Sequence, residues 1–191
     1  MKINLKNPLV RFIVILAVLV LAGALLRLVY HFSPAVNYYV QHSLIIDTIY
    51  RVLIGSTSLL LTLSGVPHNI GYDKTAVQYF IHITETNYLL YLWIPCLGLT
   101  LMYVYASLIV AFPGTWLRKL AFILGGWLTI QVLNILRLFG ISLLLANDHS
   151  GNDYLARSNW IVINHEDVFN YFVIFLIFMM FVVFARKLGK R

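Results

Sequence analysis

Residues 12–26 run without a single polar side chain, and this limits the chain more than any other feature. A helix that is apolar on every face has no side to offer water. Residues 9–32, 88–112, 120–146 and 169–185 each reach the roughly 17–25 residues a helix needs to cross the hydrocarbon layer. The chain is 61% hydrophobic and 11% charged, too little charge to clothe a water-facing surface of this size, so its solvent is lipid. Cations gather at the ends of the apolar runs: Lys2, Lys6 and Arg11, then Arg118 and Lys119, then Arg186, Lys187, Lys190 and Arg191. The net charge of +7 therefore reads as membrane flanking and not as a nucleic-acid surface. No nucleic-acid partner is expected; the lipid bilayer is.

The first run follows three cations, like a signal sequence, and Ala22-Gly23-Ala24 looks like a cleavage site. Its length predicts an uncleaved anchor. Segment 44–65 is weaker. Its apolar part, 52–63, is interrupted by Gly55-Ser56-Thr57-Ser58, and runs of this length are more often interfacial or re-entrant than spanning. Asp47 and Arg51 stand at i and i+4, the spacing of a helical ion pair. Residues 66–87 are polar, with Pro67 and Gly71, and read as a loop; loose alternation over 75–84 allows a short hairpin. The expected fold class is all-α, a multi-span transmembrane helical bundle of about four spans plus one interfacial or re-entrant segment. Residues 1–87 would hold the anchor, that segment and an outer loop. Residues 88–191 would form a three-span catalytic core.

The positive-inside rule sends the basic N-terminus, the Arg118-Lys119 loop and the basic C-terminus to the cytoplasm. An even number of crossings must then separate Arg11 from Arg118. Spans at 9–32 and 88–112 supply two, and a crossing at 44–65 would make three. Loops 66–87 and 147–164 are thus expected outside, with 44–65 on the outer side.

Three residues carry the candidate chemistry. Arg137 lies deep in an apolar run, where a charge costs roughly 2.5–3.5 kcal/mol on insertion scales. Asn134, three residues earlier, shares its helical face, and the two make a polar stripe suited to a lined cavity. Cys96, the one cysteine, sits between Pro95 and Gly98, where proline removes a helix hydrogen bond and glycine permits close backbone approach. A lone buried cysteine is usually a small hydrophobe. His165 enters the membrane at the start of the last run, behind the helix-capping candidate Asn164 and with Asp167 in the first turn. Cys96, Arg137 and His165 fall at similar depth on one side. A thiol and an imidazole make a nucleophile and its base. Guanidinium keeps its proton, so it would favour the thiolate and stabilise an oxyanion. The sequence His165-Glu166-Asp167-Val168-Phe169 begins like a zinc motif, but Phe169 stands where the second histidine belongs. No metal or other cofactor is expected. From the residues alone two other readings stay open: a non-enzymatic membrane assembly or scaffold subunit, and a small transporter component with Arg137 as an anion site.

Cys96-Leu97-Gly98, then Asn134-Ile135-Leu136-Arg137, then His165 resemble the exosortase/archaeosortase family, multi-span proteins with a Cys in a C-x-G context, an Arg in N-x-x-R and a downstream His. The stretch from Ala111 through Pro113-Gly114 to Lys119 is similar to the connecting loop of short bacterial members. The resemblance covers about half the chain, residues 88–185. Leu97 departs from it, standing where members often carry Ser or Asn. The resemblance implies a membrane-embedded cysteine peptidase or transpeptidase in the bacterial cytoplasmic membrane, with its site on the extracytoplasmic side. Its partners would be exported proteins bearing a C-terminal motif, a membrane span and a basic tail. By the same resemblance Cys96 attacks, His165 moves protons, Arg137 stabilises charge, and Asn134 and Gly98 position the site.

Overall fold

The computed structural model describes residues 7–74, 78–147 and 171–186. Three of its helices are long and apolar enough to cross a membrane: Leu9–Phe32, Leu44–Leu63 and Trp116–Ala146. Helical residues make up 76% of the described chain. The rest includes a three-stranded sheet, which corrects the all-α expectation.

The residues cluster into two compact units, each drawn from separated segments. One comprises Met1–Tyr39, Leu99–Ile130 and Ile174–Arg191. Here α1 (Pro8–Phe32) starts at Asn7, whose side chain accepts from the Leu9 N–H. None of the hydrophobic window of α1 is buried within the protein, and Leu21, Leu25 and Leu26 are each more than 60% exposed. An apolar surface this bare is what lipid covers. Helix α4 (Leu99–Ala111) packs on α1, with the Tyr103 hydroxyl donating to Leu19 O at 2.6 Å. Helix α5 (Trp116–Ala146) contributes its first half. Gly126 leaves room there for the Tyr105 ring of α4, where any Cβ would collide. Tyr105 donates to Phe122 O and Trp127 Nε1 to Met102 O, both at 3.0 Å. Lys119 Nζ donates to Val110 O at 2.8 Å and satisfies a carbonyl left open at the end of α4. Helix α6 (Tyr171–Arg186) adds Phe181 and Phe184, which meet Phe12, Phe112 and Phe122 ring to ring.

The other unit comprises Val40–Gly98 and Gln131–Val173. Before it, α2 (Pro34–Gln41) is a short link. Ser43 caps α3 (Leu44–Leu63), its hydroxyl accepting from the Ile46 N–H, and Asp47 stands in the first turn, favoured at a helix N-terminus. Helix α3 runs unbroken through Gly55-Ser56-Thr57-Ser58, the polar run that interrupts the apolar part of this segment. The cause lies in the hydroxyls. Thr57 Oγ1 donates to Leu53 O at 2.8 Å and Thr62 Oγ1 to Ser58 O at 3.0 Å, so these polar groups are satisfied by the helix's own carbonyls.

Strands β1 (His68–Asp73), β2 (Gln78–Ile83) and β3 (Tyr88–Leu92) form an antiparallel sheet in that order. Ile81, Ile83 and Leu92 are fully buried, and α3 packs on β1 and β2. Two ties fix the sheet to α3. Near one end of α3, the Tyr79 hydroxyl donates to Asp47 Oδ1 at 2.7 Å, while Arg51 Nε reaches Asp47 Oδ2 at 2.7 Å. The Asp47–Arg51 pair is as the spacing implied. Burial and the adjacent carboxylate push the Tyr79 hydroxyl above the usual phenolic range, so it stays a donor at neutral pH. Toward the other end, Ser58 Oγ lies 2.7 Å from His68 Nε2, and His68 Nδ1 lies 2.8 Å from Val66 O. A carbonyl only accepts, so Nδ1 donates, and in the neutral ring Nε2 accepts from the serine. On the sheet's far face, Gly71 gives the Phe80 ring the space a Cβ would fill.

Candidate functional site

The stretch expected as one span, 88–112, is three elements: β3, a 3-10 turn (Ile94–Leu97) and α4. Cys96 therefore lies in a turn at the end of a strand, not eight residues inside a helix. Proline at the second position of the turn gives up no hydrogen bond, because the first N–H groups of a helical turn have no partner within it. Cys96 N–H donates to Trp93 O at 2.8 Å and closes the turn. Gly98 then adopts φ +68°, the left-handed region, and redirects the chain into α4. A side chain there would cost about 1–2 kcal/mol. The C-x-G spacing thus has a local cause: two residues beyond the thiol the backbone needs a conformation that favours glycine. The Cys96 side chain is half-buried, while Leu97 beside it is fully buried.

The second half of α5 holds the remaining described polar residues. Gln131 Nε2 donates to Leu97 O at 2.9 Å. That carbonyl ends the 3-10 turn, where intrahelical partners run out, so a side chain from 34 residues away completes the turn that carries the thiol. Asn134 stands one turn further along α5, 2% exposed, and its Nδ2 has no hydrogen-bond partner among the described residues. Such a buried donor costs about 1–3 kcal/mol when left unmade, so it suits an oxygen acceptor brought by a ligand or by water. Arg137 is half-buried, about 9 Å along the helix axis from Gln131. Gln131, Asn134 and Arg137 thus form one polar strip at three-residue steps, starting at the contact with the cysteine turn.

The structure brings Cys96, Gly98, Asn134 and Arg137 into one compact unit. His165, with Asn164 and Asp167, lies outside the described residues. Among the described residues no three metal-ligating side chains converge. Gln131 escaped the sequence reading. Its one signal was its polarity within the apolar run 120–146, three residues before Asn134, and nothing in sequence linked it to Leu97.

Gln131→Leu is expected to orphan the Leu97 carbonyl. That loses about 1–3 kcal/mol at the turn and changes the rate at which Cys96 is alkylated by iodoacetamide. Since Cys96 is the chain's one thiol, labelling of whole protein reads this site alone. An alkylation rate equal to wild type would show that the bond does not hold the turn. No family model, no curated protein and no solved structure matches this chain.

Proposed function

We propose that this membrane protein is a cysteine peptidase or transpeptidase that removes C-terminal sorting signals from exported proteins at the outer face of the bacterial cytoplasmic membrane. The observation that carries the reading is the Cys96 turn, held between a left-handed Gly98 and the Gln131 side chain of the helix that bears Asn134 and Arg137. A half-buried thiol on a turn tied by Gln131 to a strip of polar groups in an otherwise apolar helix suits acyl transfer better than structural filling.

In the proposed reaction His165 takes the proton of the Cys96 thiol, and the sulfur attacks the scissile carbonyl. Arg137, together with the open donor of Asn134, stabilises the tetrahedral oxyanion. The C–N bond breaks, the amine leaves with the proton from His165, and a thioester remains on Cys96. An acceptor nucleophile or water then breaks the C–S bond and returns the thiol. The decisive experiment is co-expression with tagged precursors that carry a motif, a span and a basic tail. Loss of the C-terminal span in the presence of the wild-type chain, and its retention when the chain is absent, is the expected result.

The orientation follows from charge placement and takes the 13-residue α4 as the second crossing, with α3, although long enough to span, on the outer side. A reporter joined after Gly71 is therefore expected to read extracytoplasmic. A cytoplasmic signal would move the sheet and Cys96 to the other face and end the claim that exported proteins are processed outside.

A further inference from the structure

The open edge of β3 leads directly into the Cys96 turn, and hydrogen-bond parity shows what that edge offers. No described strand lies beyond β3 in the order β1-β2-β3. The Thr84 N–H donates to Pro67 O at 3.0 Å, one step beyond the pair His68↔Ile83. In an antiparallel ladder, residues alternate between exchanging main-chain bonds with the partner strand and pointing away from it. Since Pro67 and Thr84 are bonded, so are Asn69 with His82 and Gly71 with Phe80. On β2 these partners face β1, which leaves Tyr79, Ile81 and Ile83 to bond across to Leu92, Leu90 and Tyr88. Leu89 and Tyr91 are then the residues of β3 whose N–H and C=O point outward. Leu89 is 51% exposed and Tyr91 half-buried, and among the described residues no strand pairs with this edge.

We infer that this edge receives the part of the exported protein that precedes the scissile bond, as an added fourth strand paired through Leu89 and Tyr91; the inference rests on the peptidase reading above. Main-chain pairing to a sheet edge is an established way to bind an extended peptide, with alternate side chains left free to be read. The geometry favours a substrate peptide because the edge ends at the nucleophile. From Tyr91 to Cys96 the chain advances about 13 Å, two extended steps and three 3-10 steps. A bound strand covers that path length in about four residues, which puts a carbonyl within reach of the cysteine turn. β1 has an outward edge too, at His68, Ile70 and Tyr72, but two strands separate it from the thiol.

The test starts from a precursor that the wild-type chain is found to cleave in membranes of co-expressing cells. Leu89→Pro deletes one outward N–H and none of the sheet's own bonds, which is where a strand tolerates proline. Ile70→Pro makes the same deletion on the wrong edge. Leu89→Pro is expected to lower cleavage about tenfold, and Ile70→Pro to leave it within about threefold. Iodoacetamide labelling of Cys96 at the wild-type rate shows that the turn is intact in each. As a second measurement that needs no turnover, a benzophenone photocrosslinker at position 89 in the Cys96→Ala protein is expected to capture the precursor. Equal cleavage by Leu89→Pro and wild type would overturn the docking alone, as would crosslinks only between two copies of this chain. If the wild-type chain cleaves no precursor, the peptidase reading falls, and the docked strand with it.

Discussion

Cells carrying Cys96→Ala are expected to accumulate uncleaved precursor, with processing down by about 10⁴-fold or more, while the protein stays in the membrane at its normal level. The large effect follows from the role. Losing the nucleophile removes the covalent route altogether, and in proteases such losses reach about 10⁶-fold. The small effect on stability follows from the site. Cys96 is half-buried, so one sulfur is lost from a partly open position, for about 1 kcal/mol or less. The turn itself is held by main-chain groups and by Gln131, none of which the substitution touches. Immunoblots of precursor and enzyme in the same membranes give both quantities. Processing at the wild-type rate would remove Cys96 from the chemistry and with it the proposed function.

Arg137→Ala is expected to lower processing by about 10²–10³-fold, the usual effect of removing one oxyanion-stabilising group. Its effect on insertion should have the opposite sign. A charge in the middle of a span costs roughly 2.5–3.5 kcal/mol, so the alanine variant should enter the membrane at least as well as wild type. Reduced turnover with unreduced abundance is a combination that a structural role for Arg137 would not give. Arg137→Lys separates charge from shape. Lysine keeps the charge but loses the planar fork that can hold an oxyanion with two donors, so partial recovery is expected. Loss of the protein from the membrane in Arg137→Ala would point instead to helix pairing.

The sequence was most legible where one physical demand dominated. Helix α1 is apolar on every face over residues 12–26, and α5 pairs a long apolar run with a polar strip at helical spacing; both elements were found nearly to their ends. The Asp47–Arg51 pair followed from its spacing. The sheet was legible only in part: loose alternation over 75–84 allowed a hairpin, and β2 lies there, but the strands do not alternate strictly in polarity. Ile81 and Ile83 fill one face while Phe80 and Tyr91 cover the other, so the period-two signal is blurred. In β3 the apolar Tyr88–Leu92 stretch merges with the apolar start of α4, and the two read as one span. In α3 the hydroxyl run interrupts the apolar pattern, and the back-bonding to the helix's own carbonyls that satisfies it is invisible in composition. At the site, Cys96, Asn134 and Arg137 were nominated by cost and context. Their link through Gln131 was not, since periodicity carries no information about a contact formed 34 residues away.

That same separation bears on the order in which the protein is made. The sheet is local, with few residues between successive strands, so it and the cysteine turn can form on α3 while later residues are still being synthesised. The Leu97 carbonyl, however, waits for Gln131, which at ordinary elongation rates arrives about 2–7 s later. During that interval the thiol sits on an incomplete turn, with Asn134 and Arg137 not yet made. Under the proposed function, the thiol thereby gains its polar partners only when α5 is in place.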